Sequence, residues 1–134
     1  MRVLVCGGRD YANRAEVFAV LDALRKEHNE IIIIQGGARG ADTLAKTWAQ
    51  EQRPPCHIIE EKADWNDLSQ PGARIKTRRD GTKYDASAGG RRNQKMLDEH
   101  KPELVVAFPG GGGTADTIRR AKVAGIEVML IDNK

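Results

Sequence analysis

Three glycine-rich stretches hold the residue types that bind phosphate. They are Gly7-Gly8-Arg9-Asp10, GGARGAD at residues 36–42, and PGGGGTAD at residues 109–116. Glycine lets the main chain take positive φ and come close to an anion. A helix that starts directly after such a turn adds free N–H groups and the positive end of its dipole. Arg9 and Arg39 bring guanidinium donors, whose planar fork suits phosphate oxygens. The second and third stretches echo each other: both begin Gly-Gly and end Ala-Asp. Two such turns at one edge of a sheet make a double anion site, as a diphosphate or a phosphate with its ribose requires.

Each stretch follows an apolar run and two of them precede a helical pattern, so a sheet must carry them. VLVC at 3–6, Ile31 to Ile34, CHII at 56–59, LVVAF at 104–108 and IEVMLI at 126–131 read as strands. Between them, Val17, Val20, Leu21 and Leu24 recur at helical spacing, as do Ala41, Leu44, Ala45 and Trp48. A further helix is expected from near Gly89 to His100. A last one carries Ile118 and Ala121, with Gly125 as its C-terminal cap. Continuous apolar strands separated by helices imply a parallel sheet covered on both faces. The expected fold is α/β: a single Rossmann-like, doubly wound domain over residues 1–134, with about five parallel strands in the order 3-2-1-4-5. Ligands bind such sheets outside the carboxyl ends of the strands, at the point where strand order reverses.

Residues 62–87 interrupt this rhythm. They are polar, carry turn signals at Pro71-Gly72 and Asp80-Gly81, and read as a basic insertion or lid with a short hairpin near Asp80-Gly81. The chain's net charge is +3, yet residues 62–92 alone hold eight basic and four acidic side chains. That segment therefore carries the basic character and points to an anionic partner.

Composition narrows the remaining classes. At 40% apolar and 31% charged, the chain has a globular profile rather than a disordered one. Aromatics at 4% are sparse for a base-stacking platform. Cys6 and Cys56 read as two core thiols in a reducing compartment. No apolar run approaches transmembrane length and none precedes the first strand, so a cytoplasmic protein without membrane association is expected. His28, His57 and His100 lack metal-ligand spacing, so neither a metal nor a cofactor is expected. A Walker loop, a dinucleotide fingerprint after the first strand and a GxSxG elbow are all missing.

The ordered set of GGRD at 7–10, GGARGAD at 36–42, Ala63-Asp64-Trp65, Ala88-Gly89 with Arg92-Asn93, and FPGGGGTAD at 108–116 closely resembles the YspA-like branch of the SLOG superfamily. That superfamily includes relatives of the DNA-processing protein DprA and the LOG phosphoribohydrolases. The resemblance covers nearly the whole chain, with an insertion at about 67–86 longer than the branch leads one to expect. It implies a Rossmann-like domain that binds nucleotides or their derivatives. The binding roles implied fall on Gly36, Gly37, Arg39, Gly40 and Asp42, on Gly110, Gly111, Gly113 and Thr114, and on Arg92 near the ligand. LOG enzymes resemble PGGxGTxxE, whose glutamate acts on the ribose–base bond; here that place is Thr117, and the nearest acid is Asp116.

Three functions follow as alternatives. The first is binding of a nucleotide-type small molecule, as sensor, sequestering protein or enzyme. Its candidate ligand-binding residues are Gly7, Gly8, Arg9, Asp10, Gly36, Gly37, Arg39, Gly40, Asp42, Asp64, Arg92, Asn93, Pro109, Gly110, Gly111, Gly112, Gly113 and Thr114. The second is hydrolysis of a nucleotide N-glycosidic bond, with Asp116 and Arg92 as candidate catalytic residues. The third is a DprA-like binder of single-stranded nucleic acid through the basic segment. A homodimer is also expected, with the Trp48 helix face and the insertion as its candidate surfaces.

Overall fold

The computed structural model describes residues 1–132. Its element order is β1 (Arg2–Cys6), α1 (Arg14–Glu27), β2 (Ile32–Gln35), α2 (Ala41–Glu51), β3 (His57–Glu60), β4 (Ile75–Thr77), β5 (Lys83–Asp85), α3 (Ala88–His100), β6 (Leu104–Ala107), α4 (Gly112–Val123) and β7 (Glu127–Leu130). Five strands form one parallel sheet in the order β3-β2-β1-β6-β7. This is the expected 3-2-1-4-5 order, with the hairpin β4–β5 adding two strands outside the sheet. The order reverses between β1 and β6, where Cys6 lies opposite Ala107.

The alternation of side chains along the central strands builds two cores. Val3, Val5, Ile33 and Val106 face one side, where Val17 and Leu21 of α1 and Ala45 and Trp48 of α2 cover them. Leu4, Cys6, Ile34 and Val105 face the other, under Met96 and Leu97 of α3 and Ala121 of α4. Both faces are therefore covered, which is why the strands read as unbroken apolar runs. Trp48 is fully buried, and its Nε1 donates to Asp22 Oδ1 at 2.9 Å. It fills the α1–α2 core, so it offers nothing to a dimer surface.

Caps mark the helix ends. Asn13 accepts from the Glu16 N–H at the start of α1. Gly125 follows α4 with φ +75°, and its N–H reaches the Lys122 carbonyl. Both cysteines are free thiols. Among the described residues, no helix is long and apolar enough to cross a membrane.

The expected hairpin exists, with its turn at Asp80-Gly81. One buried carboxylate, Asp85, secures the segment that carries it. Asp85 accepts from the Arg74 and Ser87 N–H groups at 3.0 and 2.8 Å, from the Ser87 hydroxyl, and from both terminal nitrogens of Arg91 at 2.9 and 2.7 Å. Its own N–H donates to the Trp65 carbonyl at 2.8 Å. One side chain thereby ties both arms of the insertion to the start of α3, making it a strap rather than a free loop.

Candidate functional site

A cavity of about 720 Å³ opens at the carboxyl ends of β1, β2 and β6. The glycine turns differ in how they meet it. Gly7 and Gly8 line it after β1, and Gly36 with Ala38 after β2. Residues 111–113 line it at the start of α4, with Thr114 beside them. Cβ atoms on Gly111, Gly112 or Gly113 would meet nothing within 4 Å, so these three present bare main chain to open space.

Gly40 and Gly110 do not line the cavity; they hold its floor together. Gly40 has φ +78°, and a Cβ there would lie 2.1 Å from the Gly8 carbonyl oxygen. A Cβ on Gly110 would lie 2.6 Å from the Gly8 nitrogen. The Gly8 N–H donates to the Pro109 carbonyl at 2.9 Å, and the Ala41 N–H to the Gly8 carbonyl at 3.3 Å. The three turns thus touch through main chain at Gly8, Gly40 and Gly110.

Three helices begin at this cavity. Asp42 of α2, Gly89 and Gly90 of α3, and Gly112, Gly113 and Thr114 of α4 all line it. The first N–H groups of a helix have no partner within it, and their dipoles favour negative charge. Five guanidinium groups, of Arg9, Arg74, Arg92, Arg119 and Arg120, surround the same space against two carboxylates, Asp42 and Asp116.

Neither carboxylate is free. Asp42 Oδ2 accepts from the Gly36 N–H at 3.1 Å and the Ala38 N–H at 3.2 Å, closing its own turn. Burial raises its carboxyl above the ordinary value, against the lowering pull of the Ala38 and Gly36 hydrogen bonds and Arg92. Asp116 lies within α4 and caps nothing; Gly111 stands at the N-cap. It accepts from Arg120 Nε at 2.8 Å, from Asn93 Nδ2 at 3.1 Å and from Arg119. Burial would raise this carboxyl, but those donors outweigh it and hold Asp116 below the usual aspartate range. Thr117 is buried and returns its hydroxyl to the Gly113 carbonyl at 3.2 Å, bracing the α4 turn.

Arg92 reaches from α3 across the sheet edge. Its Nη1 donates to the Gly36 carbonyl at 2.7 Å and its Nε to Asn93 at 2.9 Å. Asn93 in turn holds Asp116, so one chain of side chains links the β2 turn to α4. Cys6 lies at the cavity floor; burial, with some help from Asp42, pushes its thiol up to about 12, so it remains protonated.

Other expected residues fall outside the lining. Asp10 is almost fully exposed and pairs with Arg39 at 3.5 Å. Asp64 stands in the strap turn, where its carbonyl accepts the Asp67 N–H at 3.3 Å. Gly37 and Arg39 line a smaller adjoining cavity. Conversely, Trp65, Arg74, Ser87, Gly89, Gly90, Arg119 and Arg120 line the main cavity without having been expected there. The Ala63-Asp64-Trp65 and Ala88-Gly89 motifs and the basic charge of residues 62–92 were the sequence signals that touched some of them. His100 meets Glu61 at 2.8 Å near Glu99, but Lys95 bridges the two glutamates at 3.4 and 3.7 Å and supplies the balancing cation.

Residues 1–67 match the family described as YspA, cpYpsA-related SLOG. Over 143 aligned positions the chain is also 31% identical to the Gene 61 protein of Mycobacterium phage D29, covering 99% of this chain and 98% of that one.

Proposed function

The chain belongs to the YspA, cpYpsA-related SLOG family, and on that premise we propose that it binds a nucleotide or nucleotide-derived small molecule in the cavity above β1, β2 and β6. One observation carries this reading: three helix N-termini and five guanidinium groups converge on a single cavity at the point where strand order reverses. The ligand's phosphate sits on residues 111–114, where α4 offers unpartnered N–H groups. Arg92, with Nε and Nη1 committed to the protein, presents its remaining edge to the ligand.

The side-chain network favours binding over hydrolysis of the ribose–base bond. Asp116 is engaged by three donors and Thr117 by a carbonyl, so both support the α4 turn. Single-stranded nucleic acid is the weaker reading: its basic hairpin projects from the strap, and Arg78 already covers the Tyr84 ring at 4.8 Å. The reading places the protein in the cytoplasm, where nucleotides are abundant.

Native mass spectrometry of the purified protein, followed by thermal-shift assays with nucleoside mono- and diphosphates, tests it. A retained nucleotide, or stabilisation by one class of ligand, is the expected result. No adduct and no shift across the set would overturn the proposal. Release of free base over hours would move the reading to a glycosidase.

A further inference from the structure

The main cavity has a neighbour of about 330 Å³, and Arg9, Gly36, Ala38, Trp65 and Arg92 line both. The two spaces therefore adjoin at an arginine pair and one indole. Four cationic side chains line the smaller space: Arg9, Arg39, Lys62 and Arg92. No carboxylate belongs to that lining among the described residues. Asp42 lies beside it, engaged by the Gly36 and Ala38 N–H groups. Arg39 and Asp10 are 3.5 Å apart with side chains 75% and 98% exposed, and Lys62, itself 73% exposed, lies 3.6 Å from Glu60. The exposed Arg39–Asp10 pair contributes little, and the long, solvated Lys62 contact leaves its ammonium able to turn to a bound anion.

The indole between the two spaces is firmly placed. Its six-membered ring lies over Gly89, where a Cβ would come within 2.9 Å of Cη2. Tyr84 packs edge-on against it at 6.4 Å, and the Trp65 carbonyl takes the Asp85 N–H. Aromatic faces stack on bases irrespective of sequence.

We propose that the smaller cavity is a second anion subsite, built by Arg9, Arg39 and Lys62, so that the ligand carries two anionic groups flanking a nucleoside that passes Trp65. This inference rests on the nucleotide reading above and specifies its ligand class. The second group is a further phosphate on the ribose of the same nucleoside, so that this group and the 5′-phosphate lie on its two sides.

Titration calorimetry at fixed salt tests this. The probes are adenosine and guanosine 5′-monophosphates and the matching 3′,5′-bisphosphates. For the wild type, at least one two-anion probe is expected to bind about ten-fold or more tightly than its monophosphate. In Lys62→Glu, at an exposed position, that ratio is expected to fall towards one. Equal affinity for monophosphate and two-anion probes in the wild type overturns the second subsite alone. So does an advantage that survives Lys62→Glu. Failure of every probe to bind overturns the nucleotide reading as well.

Discussion

Asp42 turns back on its own loop, and a single oxygen, Oδ2, accepts the main-chain N–H of Gly36 at 3.1 Å. The same oxygen takes the Ala38 N–H, so the phosphate-type turn after β2 is held by an acid rather than by a base. An asparagine carbonyl can make both bonds without charge. Asp42→Asn is therefore expected to retain the fold, whereas Asp42→Ala leaves two shielded donors unpaired and costs about 1–3 kcal/mol. The pH dependence has a definite sign. Burial raises the folded-state carboxyl above its unfolded value, so the native state holds the proton longer. Stability from this group is present in acid and is lost as pH rises through the folded value. Urea denaturation across pH should show Asp42→Asn gaining on the wild type towards neutrality and losing that gain in acid.

Gly40 and Gly112 should separate folding from binding. Gly40→Ala meets the Gly8 carbonyl from a backbone conformation that side chains avoid. Its expected cost is at least about 1–3 kcal/mol, read from a lowered urea midpoint. Gly112→Ala meets nothing and lies in the first turn of α4. It should be neutral or stabilising by up to about 1 kcal/mol, yet its methyl projects into the space proposed for the phosphate. Nucleotide affinity measured by calorimetry should then fall while the midpoint does not.

Much of this division was legible in the sequence. β-branched runs ending in glycine located the sheet and the edge where the cavity opens, because apolar continuity and glycine punctuation are local properties. The hairpin at Asp80-Gly81 announced itself by its turn. Arg119 and Arg120 did not, since their line of sight to the cavity depends on how α4 packs beside α3. Asp85 looked like one more acid in a solvated loop. Its burial arises only when both arms of the strap close around it, which no spacing rule encodes. Trp48 misled for a related reason: an apolar helix face fits a core and an interface equally well until the neighbouring helix is in place.

Asp85→Asn should loosen the strap while leaving the sheet intact. The Ser87 hydroxyl is the largest influence on this carboxyl; burial opposes it, and the Ser87 and Arg74 N–H groups with Arg91 add to the lowering. A lowered carboxyl contributes stability above its unfolded value, near 4, and that stability is lost as pH falls through the folded value. Hydrogen exchange followed by mass spectrometry is expected to show faster exchange over residues 74–87 in the variant, with β1, β2 and β6 still protected. The wild type should show the same local opening on acidification.

Arg92→Lys should bind nucleotide about ten-fold to a hundred-fold more weakly, since one ammonium cannot hold the Gly36 carbonyl and Asn93 and still face the ligand. Its urea midpoint, measured in parallel, distinguishes a weakened site from a weakened fold.

Arg78→Ala combined with Arg79→Ala tests the hairpin. Small-nucleotide affinity should be unchanged, because neither residue lines the cavities. Oligonucleotide binding by the wild type should be weak and fall steeply with salt. The double variant should flatten that dependence by about one unit of slope for each phosphate no longer neutralised, as fluorescence anisotropy over a salt series would show.

The floor of the cavity rests on main chain pressed against main chain, at Gly8, Gly40, Pro109 and Gly110. Such a surface has almost no side chains to exchange, and therefore few routes by which divergence can retune it. Related chains that come to prefer different ligands must do so elsewhere. The strap is the available place: it supplies Trp65 and Arg74, it can change length without disturbing the sheet, and one carboxylate is enough to anchor it. The two sides of the cavity therefore differ in kind: one rigid main-chain side, facing a side-chain surface free to vary.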